Sequence, residues 1–178
     1  MQIQKTNNVQ FGAKYISPAT IKVKAGKRWK DTQVSFIKFD TSKQRDISFL
    51  EGVESLWGGK NLSAGIVDEA HILGGKTNVY GVTTQTSDFD VVDARKVLGL
   101  ISTDKIAKGE SEVGVYRMGT TPKYAYAQNK RSRNVKHIAT AMYEAVKNLA
   151  TKKAKAPVVI HNATPEDSKF LSKLGVEA

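Results

Sequence analysis

Residues 112–142 read EVGVYRMGTTPKYAYAQNKRSRNVKHIATAM, and how this run folds decides how the rest of the chain is arranged. Its first nine residues, to Thr120, alternate in the period-two manner of a strand. Val113, Val115 and Arg117 point one way; Gly114, Tyr116 and Met118 point the other. After Pro122 the segment KYAYAQNKRSRN is polar, basic and aromatic, with no period. Apolar residues then return at helical spacing, with Val135, Ile138, Met142, Ala145 and Leu149 on one face and lysines in the last turn. The first amides of a helix have no internal partner and carry the positive end of its dipole, so they form a natural phosphate site. Lys130, Arg131, Arg133 and Lys136 bracket that end. Cations oppose the dipole there unless an anion is bound, so the pattern fits either a bound phosphate or a solvated basic loop.

Towards the C-terminus, APVVIHN (156–162) predicts a short apolar strand. A last helix follows, with Thr164 as N-cap, Pro165 in the first position, and Glu166 and Asp167 where the dipole favours anions. Phe170, Leu171 and Leu174 form its apolar face and Gly175 ends it. Towards the N-terminus, AGKRWKD (25–31) is a basic turn between strands marked by Ile21 and Val23 and by Val34, Phe36 and Phe39. Residues 41–59 predict a helix capped by Ser42, with Ile47, Leu50, Val53 and Trp57 on its buried side and a glycine pair at its end. Residues 62–75 predict a second helix, striped by Ile66, Ala70 and Leu73. Strands are expected at 78–85 and 95–103. Residues 1–17 are polar and aperiodic and read as an arm, docking through Phe11 and Tyr15, ahead of one domain spanning 18–178. The fold class is α/β, with a mixed, mostly antiparallel sheet flanked by helices.

Composition narrows the function. The 178 residues include no cysteine, which excludes disulfides, thiolate metal sites and a thiolate nucleophile. His71, His137 and His161 are far apart in sequence, so no metal site is expected. No apolar run approaches the ~20 residues that span a bilayer, and the N-terminus lacks the apolar segment of a secretory signal. A cytoplasmic protein without membrane partners is expected. The net charge of +11 favours an anionic partner, nucleic acid or a phosphate-bearing cofactor, or else reflects a Lys-rich surface.

The C-terminal half resembles the GNAT acyltransferase superfamily. FLSKLGV (170–176) is similar to the family's last motif, and Asn162 takes the position of the Asn that precedes it. IATAMYEAVKNLA (138–150) is similar to the helix after the family's Q/R-x-x-G-x-G/A loop, and RKVLGLIST to its third strand. The resemblance covers roughly residues 32–176. It implies a GNAT fold in which two neighbouring strands splay and the pantetheine arm of acetyl-CoA, or another acyl-CoA, lies between them. It also implies loop amides that hold the diphosphate. On this chain NVKHIA (134–139) falls on the loop, with Asn134 for the Gln or Arg, His137 for the first glycine and Ala139 for the last small residue. The cofactor site it implies comprises Met118, Arg133, Asn134, Lys136, His137, Ile138, Ala139 and Asn162.

The activity implied is transfer of an acyl group to an amine acceptor, small molecule or protein. A strand N–H near Met118 polarises the thioester carbonyl. Glu112 is the expected base, with Glu69 as a weaker candidate. The family's acid, a Tyr, is replaced by Leu171, which leaves Tyr124, Tyr126 or Tyr143 for that role. Tyr143 also suits the core, and Tyr124 and Tyr126 also suit stacking on adenine. Homodimers are common in the family. The competing reading is a non-catalytic protein of the same fold that binds nucleic acid or another polyanion. It rests on the hairpin KVKAGKRWKD (22–31), where Trp29 stands among lysines and Arg28.

Overall fold

The computed structural model of the protein describes residues 13–58, 62–73, 75–125, 133–161 and 168–175. Strand β1 (Lys14–Ala25) turns at Gly26, whose φ is +63°, and returns as β2 (Arg28–Phe39). Helices α1 (Gln44–Leu56) and α2 (Leu62–Leu73) follow. Three strands come next: β3 (Thr77–Thr83), β4 (Val97–Asp104) and β5 (Val113–Thr120). The two-residue β6 (Val135–Lys136) leads into the long helix α3 (Ile138–Lys153). Strand β7 (Val158–Ile160) and helix α4 (Ser168–Lys173) close the described chain.

The strands form one curled sheet in the order β6-β1-β2-β3-β4-β5-β7. Its pairs are antiparallel except β5 with β7, so the expected mixed α/β architecture is present. The hairpin, both early helices and all three middle strands lie close to their expected positions. Residues 14–17, expected in the arm, instead begin β1, because Lys14 and Tyr15 pair with Lys38 and Ile37. The earlier arm residues and the expected cap at Thr164–Asp167 lie outside the described residues.

Period-two alternation distributes β2 between two cores. Val34 and Phe36 face α3, while Ile37 and Phe39 face α1 and α2. On the α3 side Phe36 stacks on Tyr80 at 5.1 Å. Burial pushes the Tyr80 hydroxyl up to about 12, and Asn78 donates a hydrogen bond to it. Ile138, Met142 and Val146 of α3 are buried against this core, each worth about 1.5–3 kcal/mol of apolar burial. On the other side Ile47, Leu50, Val53 and Trp57 of α1 are buried as their spacing predicted, with Ile66, Val67 and Ala70 of α2.

Two helix starts differ from expectation. Ser42 does not cap α1; its hydroxyl and amide both bond Asp40, and Lys43 occupies the cap position without a side-chain bond. The carboxylate of Asp46 instead reaches back to the amide of Asp40 at 2.7 Å. The long helix begins at Ile138, because Val135 and Lys136 are held as strand opposite Val23 and Lys22.

Helix α3 lies close on β4 because position 99 is glycine. A Cβ there would stand 2.7 Å from Met142 Cε and 2.9 Å from Ile138 Cγ2. Gly99→Ala is expected to lower stability by about 1–3 kcal/mol through overpacking, read as a lower urea midpoint with an unchanged slope.

Candidate functional site

Strand β5 carries one residue more than its partner requires. Thr103 of β4 lies opposite Val115 and Ser102 opposite Arg117, which leaves Tyr116 as a bulge. A bulge bends its strand and reverses which face the following side chains take. Val113 and Val115 face α3 and its flanking core, and beyond the bulge Met118 joins that side. Arg117 is thereby turned to α2, where its Nε bonds Glu69 Oε2 at 3.2 Å and its guanidinium lies against Gly65. The simple alternation expected for β5 therefore breaks at Tyr116.

The other edge of β5 is shared with β7 for three residue pairs only, Val113–Val158, Gly114–Val159 and Val115–Ile160. The last bond runs from the His161 amide to the Val115 carbonyl at 2.9 Å. From Tyr116 to Thr120 that edge has no strand partner among the described residues. The Thr121 amide bonds the Leu98 carbonyl on the β4 side. By alternation the amides of Met118 and Thr120 face the open edge. Thr120 pairs with Gly99, over which Ile138 sits, so this edge leads to the first turn of α3.

At that turn His137 has φ 68° and ψ 23°, the left-handed conformation that glycine adopts most readily. Its carbonyl accepts the Ala141 amide, and the amides of Ile138, Ala139 and Thr140 precede the first internal bond of the helix. Asn134 and Lys136 contribute less backbone than a free loop would: the Asn134 carbonyl accepts the Lys24 amide, and Lys136 lies opposite Lys22 in the sheet. Their side chains avoid that like-charge pairing. Lys22 bonds Asp31 at 2.7 Å, and Lys136 Nζ stands 4.1 Å over the Trp29 ring. Partial burial and the charges of Lys136, Lys22, Arg133 and Lys173 hold the His137 imidazole below its usual range. The terminal helix thus adds Lys173 to the field at the start of α3.

The other expected residues are more scattered. Glu112 is exposed and precedes β5, six positions from Met118 and so about 20 Å along an extended strand. Tyr124 lies past the opposite end, in a 3-10 turn (Pro122–Tyr124), half-buried against the α3 core with Lys123 over its ring. The length of β5 separates them, so they do not form one acid–base site. Tyr143 and Leu171 are buried core residues. Asn162, Tyr126, Lys130 and Arg131 lie outside the described residues. Among the described residues no three His, Cys, Asp or Glu side chains are grouped to hold a metal ion.

The sequence did not disclose a polar group where β5 and β7 part. Asp104, at the end of β4, accepts the Gly114 amide and the Tyr116 hydroxyl, both at 2.8 Å. The bond to Asp104 pushes the Tyr116 phenol up to about 12. Only the β4–β5 register and the bulge bring these residues together.

Because partial burial and the neighbouring cations hold folded-state His137 below the ordinary histidine range, the unfolded chain takes up its proton first as pH falls. Its contribution therefore destabilises the fold progressively below about pH 6.5. His137→Gln is expected to lose less melting temperature than wild type between pH 7.5 and 5.5.

No family model matches this chain, and no curated protein and no solved structure matches it.

Proposed function

We propose that the chain is an acyl-CoA-dependent N-acyltransferase of the GNAT type, using acetyl-CoA or a related thioester to acylate an amine. One observation carries this reading: the parallel pair β5–β7 ends at Val115 and Ile160 while β5 continues to Thr120, leaving an edge without a strand partner among the described residues that leads to a helix start. The element order supports it, since a strand hairpin, two helices, a three-strand meander, a long helix and a parallel strand follow the arrangement implied by the resemblance.

In this reading the Met118 amide polarises the thioester carbonyl and stabilises the oxyanion formed on attack. The amides of Ile138 and Ala139 receive the diphosphate, within the positive field of Arg133, Lys136 and Lys173. His137 already holds the left-handed backbone that brings those amides forward, and its exposed imidazole adds a side-chain donor. Leu171 is buried and has no proton to give the leaving thiolate. The expected cytoplasmic location is retained in this proposal.

The polyanion-binding reading gains one specific support. Pairing of β6 with β1 joins the basic hairpin to the start of α3, so Lys22, Lys24, Arg133 and Lys136 share one sheet edge beside Trp29. Calorimetric titration separates the two. Acetyl-CoA is expected to bind one to one, and His137→Glu to weaken it by about tenfold or more through like-charge repulsion, while His137→Gly retains binding. Failure of acetyl-CoA to bind at millimolar concentration, together with RNA binding that falls steeply with salt, overturns the acyltransferase in favour of the polyanion binder.

A further inference from the structure

Acyl transfer to an amine requires a group that removes a proton from the ammonium, and neither Glu112 nor Tyr124 stands at the middle of β5. His161 does stand where the two parallel strands part. Its amide makes the last bond between them among the described residues, to the Val115 carbonyl, which fixes its backbone at the vertex. Its ring stacks on Tyr116, the bulged residue, with centroids 5.1 Å apart and planes 14° from parallel. Its other neighbour is Gly114. A Cβ at that position would stand 2.8 Å from His161 Nε2 and 2.7 Å from Asp104 Oδ2. The bare glycine thus lets an imidazole edge and a carboxylate flank the same point.

The groups around His161 have distinct tasks. Asp104 is anchored by the Gly114 amide and the Tyr116 hydroxyl, so its charge is fixed beside the imidazole. Tyr116 directs its proton to Asp104 and serves as a platform for the ring, not as a donor to substrate. Glu69, Glu112 and Arg117 complete the charged surroundings; both glutamates act electrostatically on the Tyr116 phenol, and Glu69 is paired with Arg117. The imidazole nitrogens of His161 have no hydrogen-bond partner among the described residues. The negative groups at this vertex stand apart from the cations at the start of α3. An anionic cofactor and a cationic acceptor would therefore meet from opposite ends of the open edge.

We infer that His161 is the catalytic base of the site, that Asp104 and Tyr116 are its positioning residues, and that the acceptor is a primary ammonium entering on the α2 side of the sheet. This inference rests on the acyltransferase reading. In the step proposed, His161 takes one proton from the ammonium and passes it to solvent. The freed nitrogen lone pair forms the C–N bond at the thioester carbonyl. As the adduct collapses the C–S bond breaks, its electron pair leaves on sulfur, and a second nitrogen proton goes to that sulfur. The products are an amide, the CoA thiol and one proton.

The test measures CoA thiol release from acetyl-CoA with putrescine and with a lysine-containing peptide as acceptors, across pH 5.5–9. His161→Gln is expected to lower kcat/KM by about a hundredfold or more, to lose the acidic limb of the pH profile and to leave acetyl-CoA binding unchanged. Added imidazole should restore part of the rate. Asp104→Asn, which removes the charge that flanks the ring, should lower kcat with little change in KM and leave acetyl-CoA binding unchanged. Gly114→Ala, which pushes the ring aside without removing it, should reproduce the loss if His161→Gln folds poorly. A His161→Gln or Gly114→Ala protein that binds acetyl-CoA and keeps the wild-type rate and acidic limb overturns the base assignment and leaves acyl transfer standing. A wild-type protein that neither binds nor consumes acetyl-CoA overturns both.

Discussion

One extra residue in β5 controls the architecture of the site. Without Tyr116 in excess, Arg117 would continue the face of Val113 and Val115 and enter the core beneath α3, where an unpaired guanidinium costs several kcal/mol. The bulge sends it instead to Glu69 on α2 and returns Met118 to the apolar side. The same local bend accompanies the end of pairing with β7, since a bulged strand twists away from its former line. A single irregularity therefore sets three things: the partial burial of Met118, the placement of Arg117 and a stretch of β5 backbone with no strand partner among the described residues.

Charge is arranged around that stretch with opposite sign at its two ends. At the start of α3, Lys22 and Lys136 are opposed across two strands, a destabilising contact unless each finds another partner. Asp31 takes one and the Trp29 ring the other, so the sheet closes without neutralising the site. The field survives, as the depressed His137 shows. At the far end Asp104 is held in place by an amide and a phenol that both donate to it. Both arrangements depend on directional partners, not on net charge, and a chain of +11 still holds a locally acidic vertex.

Much of the fold was legible because periodicity is a local property. The stripe Ile47, Leu50, Val53 and Trp57 is buried as its spacing required, and the strand positions of Phe36 and Val115 follow from alternation. What failed was decided between distant segments. Ser42 has the chemistry of a cap, but Asp40 competes for its hydroxyl. Val135 fits the helical stripe, but Val23 offers it a strand partner 112 positions earlier. Tyr116 cannot be recognised as a bulge until β4 and β5 are paired, and His161 cannot be placed beside Gly114 until β7 is added to them. The start of α3 became a candidate through its cations and its resemblance to a phosphate loop; the vertex had no such signal.

The backbone at His137 connects the fold to the proposed chemistry. The chain reaches this residue as a strand bound to β1 and leaves it as a helix lying across β4, and that change of direction demands a positive φ. A non-glycine residue pays roughly 1–2 kcal/mol for it, with histidine among the side chains that tolerate it better. Glycine would relieve the strain, yet it would supply only backbone to an approaching anion. Histidine keeps the same turn and adds a ring whose proton affinity is low in the free protein because burial and four basic side chains oppose the charge. In the proposed acyltransferase a diphosphate held at this helix start would offset those basic side chains and favour the protonated imidazole.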